Sequence, residues 1–226
     1  MKVSIIVPIY NERDTIEPLL ERLKAVALDK EIVLVDDSST DGTREYLESI
    51  TGDDRIKVLF HAKNRGKGAA IRTGLEEVTG QVVVIQDADL EYTPEEIPEL
   101  VEPIEKGEAR AVYGSRFLGE IKGMRWMNWV ANRILALASN LLFRVGITDE
   151  ATCYKVVETD LLRSLNLRCE RFEFCPEVTA KLGRRHIKIV EVPITYRART
   201  GKEGKKISWR DGVEALVTLL RYRIKE

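Results

Sequence analysis

Short apolar runs rich in Val and Ile punctuate the first hundred residues. Residues 3–7, 32–35 and 82–85 read as strands buried on both faces of a parallel sheet, and residues 56–60 as a further strand. Helical periodicity fills the gaps. Ile16, Leu19, Leu20, Leu23 and Val26 recur at helical spacing within residues 11–27, with Asn11 or Asp14 as the candidate cap. A helix through Ile50 follows the second strand, and the glycine-rich turn KNRGKG opens another helix after the third. After the fourth strand, Thr93 and Pro94 suit the N-cap and first position of a helix. This alternation predicts an α/β fold with a mostly parallel sheet and helices on both faces.

The second half is less regular. Residues 111–113 form a short predicted strand leading into Gly114-Ser115-Arg116. Residues 124–147 are amphipathic, setting Trp126, Trp129, Ile134, Leu137, Leu141 and Leu142 against Arg125, Asn128, Asn132, Arg133 and Arg144. The preferred reading is a helix packed on the sheet, and the alternative is a helix lying in a membrane interface. A polar turn over 149–155 precedes helices at 159–165 and 176–182. Residues 187–196 read as a strand that Pro193 confines to an edge or a bulge. The basic loop at 197–206 suits mobility or anion binding, and an amphipathic helix over about 209–223 closes the chain.

At 226 residues the chain suits one large α/β domain. Its 36 basic and 37 acidic residues give a net charge of −1, so no global field points to nucleic acid. Cys153, Cys169 and Cys175 have neither CxxC nor zinc spacing and read as free thiols. The chain opens directly into its first strand, leaving no room for a signal peptide. The apolar stretch 134–143 is too short to span a bilayer, so the expectation is a soluble or peripheral protein.

Candidate chemistry collects where the strands end. In a parallel sheet these ends share one edge, and ligands bind outside it. Asp87 and Asp89 leave the fourth strand two residues apart, so in an extended chain both point to one side, with Glu91 just beyond. Mg2+ or Mn2+ suits such carboxylates, and substrate phosphates and water complete the shell. The bland alternative is a solvated acidic turn. Asp36 and Asp37 end the second strand, and capping of the next helix by Ser38, Ser39 and Asp41 does not account for both acids. The loop Asn64-Arg65-Gly66-Lys67-Gly68 offers amides, two cations and a helix N-terminus to an anion, or is an ordinary glycine turn. Neither a G-x-G-x-x-G after the first strand nor a P-loop is present, which weakens dehydrogenase and NTPase readings.

Taken in order, IIVPIYNE (5–12), VDDSSTDGT (35–43), NRGKGAAIRTG (64–74), QDADLEYTPEE (86–96), GSR (114–116), DEATCYK (149–155), EVPITYRAR (191–199) and EGKKI (203–207) resemble a family 2 glycosyltransferase of the GT-A fold. The branch resembled is that of the dolichyl-phosphate mannose and glucose synthases. The resemblance implies one GT-A domain over 1–226, with a nucleotide-sugar half (1–115) and an acceptor half (116–226). It implies that Pro8, Tyr10, Glu12 and Asp37 border the base and ribose, while Asp87 and Asp89 hold the nucleotide sugar and its metal, with Glu91 in or near the metal shell. It places Arg116 and Arg133 at the acceptor phosphate. Arg199 and Lys205, with Lys67 in the anion-friendly loop, fall to the donor diphosphate. Asp89, Arg116 and Arg199 are the expected catalytic set. Many relatives carry C-terminal membrane helices, whereas this sequence closes on one amphipathic helix.

The implied reaction is metal-dependent, inverting transfer of a hexose from a GDP-mannose or UDP-glucose type donor to a polyprenyl or dolichyl phosphate. It would take place on the cytoplasmic face of a membrane to which the protein binds peripherally. One alternative is transfer to a glycan hydroxyl, which needs a general base such as Glu173 or Glu177; for both, helix capping and dipole roles are the simpler account. Another is a catalytically idle sugar-nucleotide-binding or scaffold protein.

Overall fold

The structure, a computed structural model, describes residues 1–199 and 209–224. Its strands are β1 (Val3–Ile9), β2 (Lys30–Asp36), β3 (Ile56–Phe60), β4 (Val82–Ile85), β5 (Ala111–Lys122), β6 (Lys155–Glu158) and β7 (Ile189–Arg197). They join in one sheet, in the order β3-β2-β1-β4-β6-β5-β7. Around it run α1 (Arg13–Ala25), α2 (Thr43–Glu48), α3 (Lys67–Glu77), α4 (Ile97–Glu105), α5 (Trp126–Phe143), α6 (Thr159–Ser164), α7 (Phe174–Arg184) and α8 (Trp209–Ile224). Among the described residues β6 alone runs against the other strands, antiparallel to both β4 and β5.

The apolar runs do what their composition dictates. All four residues of β4 are buried, as an unbroken β-branched run between two helical layers must be. Helix α1 turns Ile16, Leu19, Leu20 and Leu23 inward, and α4 does the same with Ile97, Leu100, Val101 and Ile104. The chain leaves β1 for β2 and β3 on one side and returns to β4 on the other. The β1/β4 border is therefore a topological switch point, where α/β sheets open a crevice at the carboxyl ends of their strands.

Several expectations need correction. Neither Asn11 nor Asp14 caps α1; Glu12 holds the N-cap position without a side-chain cap bond. Thr93 makes no cap bond either, and Pro94–Glu96 is a 3-10 turn leading into α4. The expected strand at 111–113 continues to Lys122 because it pairs in parallel with β7, interrupted by a register shift between Ser115 and Glu120. Strand β6 lies between the expected polar turn, which it overlaps at Lys155, and the expected helix at 159–165, since its two valines are too short a run to signal a strand. Pro193 does lie on an edge strand, as predicted.

Helix α5 departs most. It packs chiefly on α7 and α8, not on the sheet, and buries Leu135, Ala136, Ser139 and Phe143. Leu135 and Phe143 form a small second core with Ala180, Ala215, Leu219 and Tyr222. Most of the residues expected to face the protein interior face outward, with Trp126 and Leu141 each 74% exposed. No helix among the described residues is long and apolar enough to cross a membrane.

Candidate active site

The turns after β1 and β2 are buttoned together by side chains. Ser39 Oγ, Thr43 Oγ1 and Asp41 Oδ2 accept the backbone N–H groups of Asn11, Glu12 and Arg13 at 2.9, 2.9 and 3.2 Å. In return, Asn11 Oδ1 accepts Thr40 N–H at 2.8 Å. Capping is thus shared across two turns, and the first amides of α1 are satisfied from the neighbouring strand's loop. Pro8 is half-buried and Tyr10 exposed on this edge, while Glu12 is buried.

Asp36 and Asp37 turn out to be scaffolding acids. Asp36 is wholly buried and accepts Ser39 N–H. Asp37 Oδ1 meets His61 Nδ1 at 2.7 Å and Arg65 N–H at 2.8 Å, and its Oδ2 accepts Gly66 N–H at 2.7 Å. The far side of the His61 ring meets Thr73 Oγ1 of α3 at 3.0 Å. The glycine-rich loop is correspondingly full. Gly68 and Ala69 give their N–H groups to the carbonyls of Arg171 and Glu170. A Cβ on Gly66 would come within 2.5 Å of Glu170 O, and one on Gly68 within 2.5 Å of Cys169 O. These glycines admit another backbone, and the amides of Arg65, Gly66 and Gly68 are already bonded within the protein. What the loop offers a ligand is cationic side chains, Arg65 exposed and Lys67 half-buried.

Lys67 Nζ lies 2.5 Å from Asp87 Oδ1. Burial opposes its charge, but the surrounding groups, the Asp87 carboxylate foremost, together outweigh burial and raise its pKa. The chain turns at Ala88 and Asp89, so the alternation argument from an extended strand does not hold; the turn itself brings the acids together. Burial, then repulsion from Asp87 and Glu91, pushes the Asp89 carboxyl up to about 7. Asp89 also lines a cavity of about 600 Å3 with Glu12, Leu90, Arg197 and Arg199, at the switch point. Arg199 reaches across it, its Nη2 2.6 Å from Glu12 Oε2 and its Nε 2.8 Å from the Asp89 carbonyl. Glu91 is engaged elsewhere, accepting Tyr196 Oη–H at 2.8 Å and Arg199 N–H at 2.7 Å. No cluster of three metal-ligating side chains occurs among the described residues. Two close carboxylates, one under strong repulsion, are nonetheless a fitting donor set for Mg2+ or Mn2+ when a diphosphate supplies further oxygens.

The cations expected at an acceptor gather around Phe117. Arg116 and Arg133 lie 6.0 and 5.3 Å from its ring centre, and Trp129 meets the ring edge-on. Arg133 is exposed and donates to Thr148 O at 3.1 Å. Arg116 is only 5% exposed, and its Nε and Nη2 grip Asp149 at 2.6 and 2.7 Å. This is a buried ion pair, because Asp149 is wholly buried. Glu191 fixes this partner in turn by accepting the backbone N–H groups of Thr148 and Asp149.

Glu177 caps nothing on its own helix. It is buried and accepts Arg168 N–H, Cys169 N–H, Lys181 Nζ–H and Tyr222 Oη–H, which ties α7, α8 and the 168–171 loop together. Glu173 holds the N-cap position of α7 without a cap bond, and its buried Oε2 has no hydrogen-bond partner. Lys205 and most of the basic loop lie outside the described residues. Sequence reasoning missed His61, Asp149 as a partner and Tyr196. The motifs DEATCYK and EVPITYRAR contain the last two, but nothing local marks their roles.

A switch-point crevice with an acidic turn beside it and a reversed strand after β4 is the GT-A arrangement. The fold matches the crystal structure of glucosyl-3-phosphoglycerate synthase from Mycobacterium tuberculosis, in complex with Mn2+, UDP and phosphoglyceric acid. The TM-score is 0.74 at 22% identity, covering 98% of this chain and 78% of that one. The chain belongs to glycosyl transferase family 2, whose sequence pattern matches residues 4–165. It is 33% identical over 214 residues to a dolichol-phosphate mannosyltransferase of Pyrococcus furiosus, covering 91% of this chain and 59% of that protein. An undecaprenyl-phosphate mannosyltransferase of Micrococcus luteus is 31% identical over 235 residues, covering 98% of this chain and 94% of that protein. The chain thus spans about three-fifths of the length of the first relative and nearly all of the second.

Proposed function

We propose that this protein transfers a hexose from a nucleotide-diphosphate sugar to a polyprenyl phosphate, with Mg2+ or Mn2+, on the cytoplasmic surface of a membrane. The observation that carries this reading is the pairing of two sites. The acidic turn and Arg199 share a cavity large enough for a nucleotide sugar, while Arg116 and Arg133 stand around Phe117 at the head of an outward-facing apolar helix. The names of the relatives, both polyprenyl-phosphate mannosyltransferases, favour the same acceptor.

The chemistry is a displacement. The bond from the anomeric carbon to the donor diphosphate breaks, and a bond from that carbon to an acceptor phosphate oxygen forms, inverting the centre. Asp87 and Asp89 would hold a divalent cation, which would supply Lewis-acid stabilisation to the departing diphosphate. Arg199 would add a fixed positive charge beside the diphosphate, and Lys67, next to Asp87, another. The acceptor phosphate is already ionised at neutral pH, so no side chain has to remove a proton. Arg133, exposed above Phe117, offers that phosphate a planar donor fork, backed by Arg116.

The surface around α5 suits a lipid-borne acceptor. Between Glu120 and Asp149 the chain has no acidic residue but carries Lys122, Arg125, Arg133 and Arg144. Trp126, Met127, Trp129, Ile134, Leu137 and Leu141 are exposed on the helix itself. Exposed Trp and Leu beside Arg is the composition of a helix lying in an anionic interface.

The test is calorimetric titration of GDP and UDP with and without manganese. Wild type is expected to bind one of them tightly in manganese alone, and Asp89→Ala is expected to lose that enhancement. An unchanged enhancement in the variant contradicts the assignment of the acidic turn.

A further inference from the structure

Leu90, between Asp89 and Glu91, has φ of +60°, a left-handed conformation uncommon for a bulky side chain. Such conformations persist where the surroundings over-determine them. Here the end of β7 does so. Tyr196 bridges Tyr92 in antiparallel fashion, and Arg197 N–H donates to Glu91 O at 2.9 Å. The Glu91 carboxylate then closes the strap by accepting Tyr196 Oη–H on one oxygen and Arg199 N–H on the other.

The same tyrosine has a second neighbour. The Arg116 guanidinium lies 5.0 Å from the Tyr196 ring centre, and Tyr92 packs edge-on against that ring at 5.4 Å. Tyr196 and Arg116 are each 5% exposed, so the cation–ring contact is made away from water, where it is strongest, while the hydroxyl–carboxylate bond is part-buried. One side chain therefore touches the acidic turn through its hydroxyl and the acceptor-side cation through its ring.

We propose that Tyr196 is a positioning residue for both halves of the reaction, an inference that rests on the function proposed above. Its hydroxyl holds Glu91, and through it the strained turn that presents Asp89. Its ring supports Arg116 at the acceptor end. In this account Glu91 staples β7 to the turn and does not ligate the metal.

The two contacts can be separated. Tyr196→Phe removes the hydroxyl and keeps the ring, so manganese-dependent affinity for GDP or UDP, by calorimetry, falls roughly tenfold, the worth of one hydrogen bond to a charged group. Its KM for a short polyprenyl phosphate stays at the wild-type value. Tyr196→Leu removes both contacts, and KM for the polyprenyl phosphate rises as well. A purely structural tyrosine would lower the melting temperature in both variants without splitting donor from acceptor parameters, and that result overturns the inference. Glu91→Gln reads the staple from its other end, even if a tyrosine variant fails to fold. It retains most of the manganese enhancement if Glu91 is a staple, whereas complete loss makes Glu91 a metal ligand and overturns the inference. Wild type that shows no manganese-dependent nucleotide affinity defeats the proposed function itself. Responsive wild type beside an unaltered Tyr196→Phe defeats the inference alone.

Discussion

Arg116 and Asp149 illustrate how single residues in this protein carry charge into the interior. Two parallel hydrogen bonds link a guanidinium to a wholly buried carboxylate, and Glu191 fixes the backbone beneath them. Removing one partner leaves the other charged and dry. Arg116→Ala should therefore destabilise the protein by about 3–5 kcal/mol, read from urea midpoints, in addition to any loss of acceptor affinity. A variant as stable as wild type would show that Asp149 finds another partner. The family resemblance pointed to Arg116, in the GSR that follows a predicted strand. The buried pair was not legible, because Asp149 lies 33 residues away and nothing local distinguishes a buried carboxylate from a solvated one. Asp37 repeats the lesson in reverse. The acids after β2 looked ligand-facing, yet Asp37 serves His61 and two loop amides. Hydrogen-bond demand inside a loop is invisible in composition.

Helix α5 shows what periodicity can and cannot say about an element. A 3.6-residue stripe marks an amphipathic helix but not what covers the stripe. Leu135 and Phe143 are the apolar positions that pack with α7 and α8, whereas Trp126, Ile134, Leu137 and Leu141 remain outside. α8 adds exposed Val213, Val217, Leu220 and Ile224. If the α5 face meets a lipid surface, wild type should float with anionic liposomes, and a folded Trp126→Glu, Trp129→Glu double variant should stay in the soluble fraction. Equal flotation of both, or of neither, would count against that contact. The α3 N-terminus is the matching case among turns. NRGKG reads as an anion cradle, but the bonds to the 170–171 carbonyls are made by a loop a hundred residues further on.

At the scale of the molecule, the sheet order follows from chain topology, and topology was the most legible part. Four strands in the first half, each followed by a helix or a helix-opening turn, force parallel pairing and put every strand end on one edge. The switch point falls at β1/β4, so the first and fourth strand ends face a common crevice, and the return of β7 brings Arg197 and Arg199 to it from the far end of the chain. Strand β6 escaped because four residues carry too little pattern. The expected division at 115/116 cuts through β5, so residues on either side of it share one sheet. Tyr196 and Arg199 complete that junction from the second half. The central claim is that this junction passes a hexose to a lipid phosphate. Its most direct measurement is manganese-dependent transfer of radiolabelled sugar, from GDP-mannose and UDP-glucose in turn, to a short polyprenyl phosphate, with the matching polyprenol and a simple glycan alongside. Label entering the polyprenyl phosphate, and neither of the others, is the predicted result. Label entering the polyprenol or the glycan but not the phosphate would contradict it, and a proton-accepting side chain such as Glu173 would then be required.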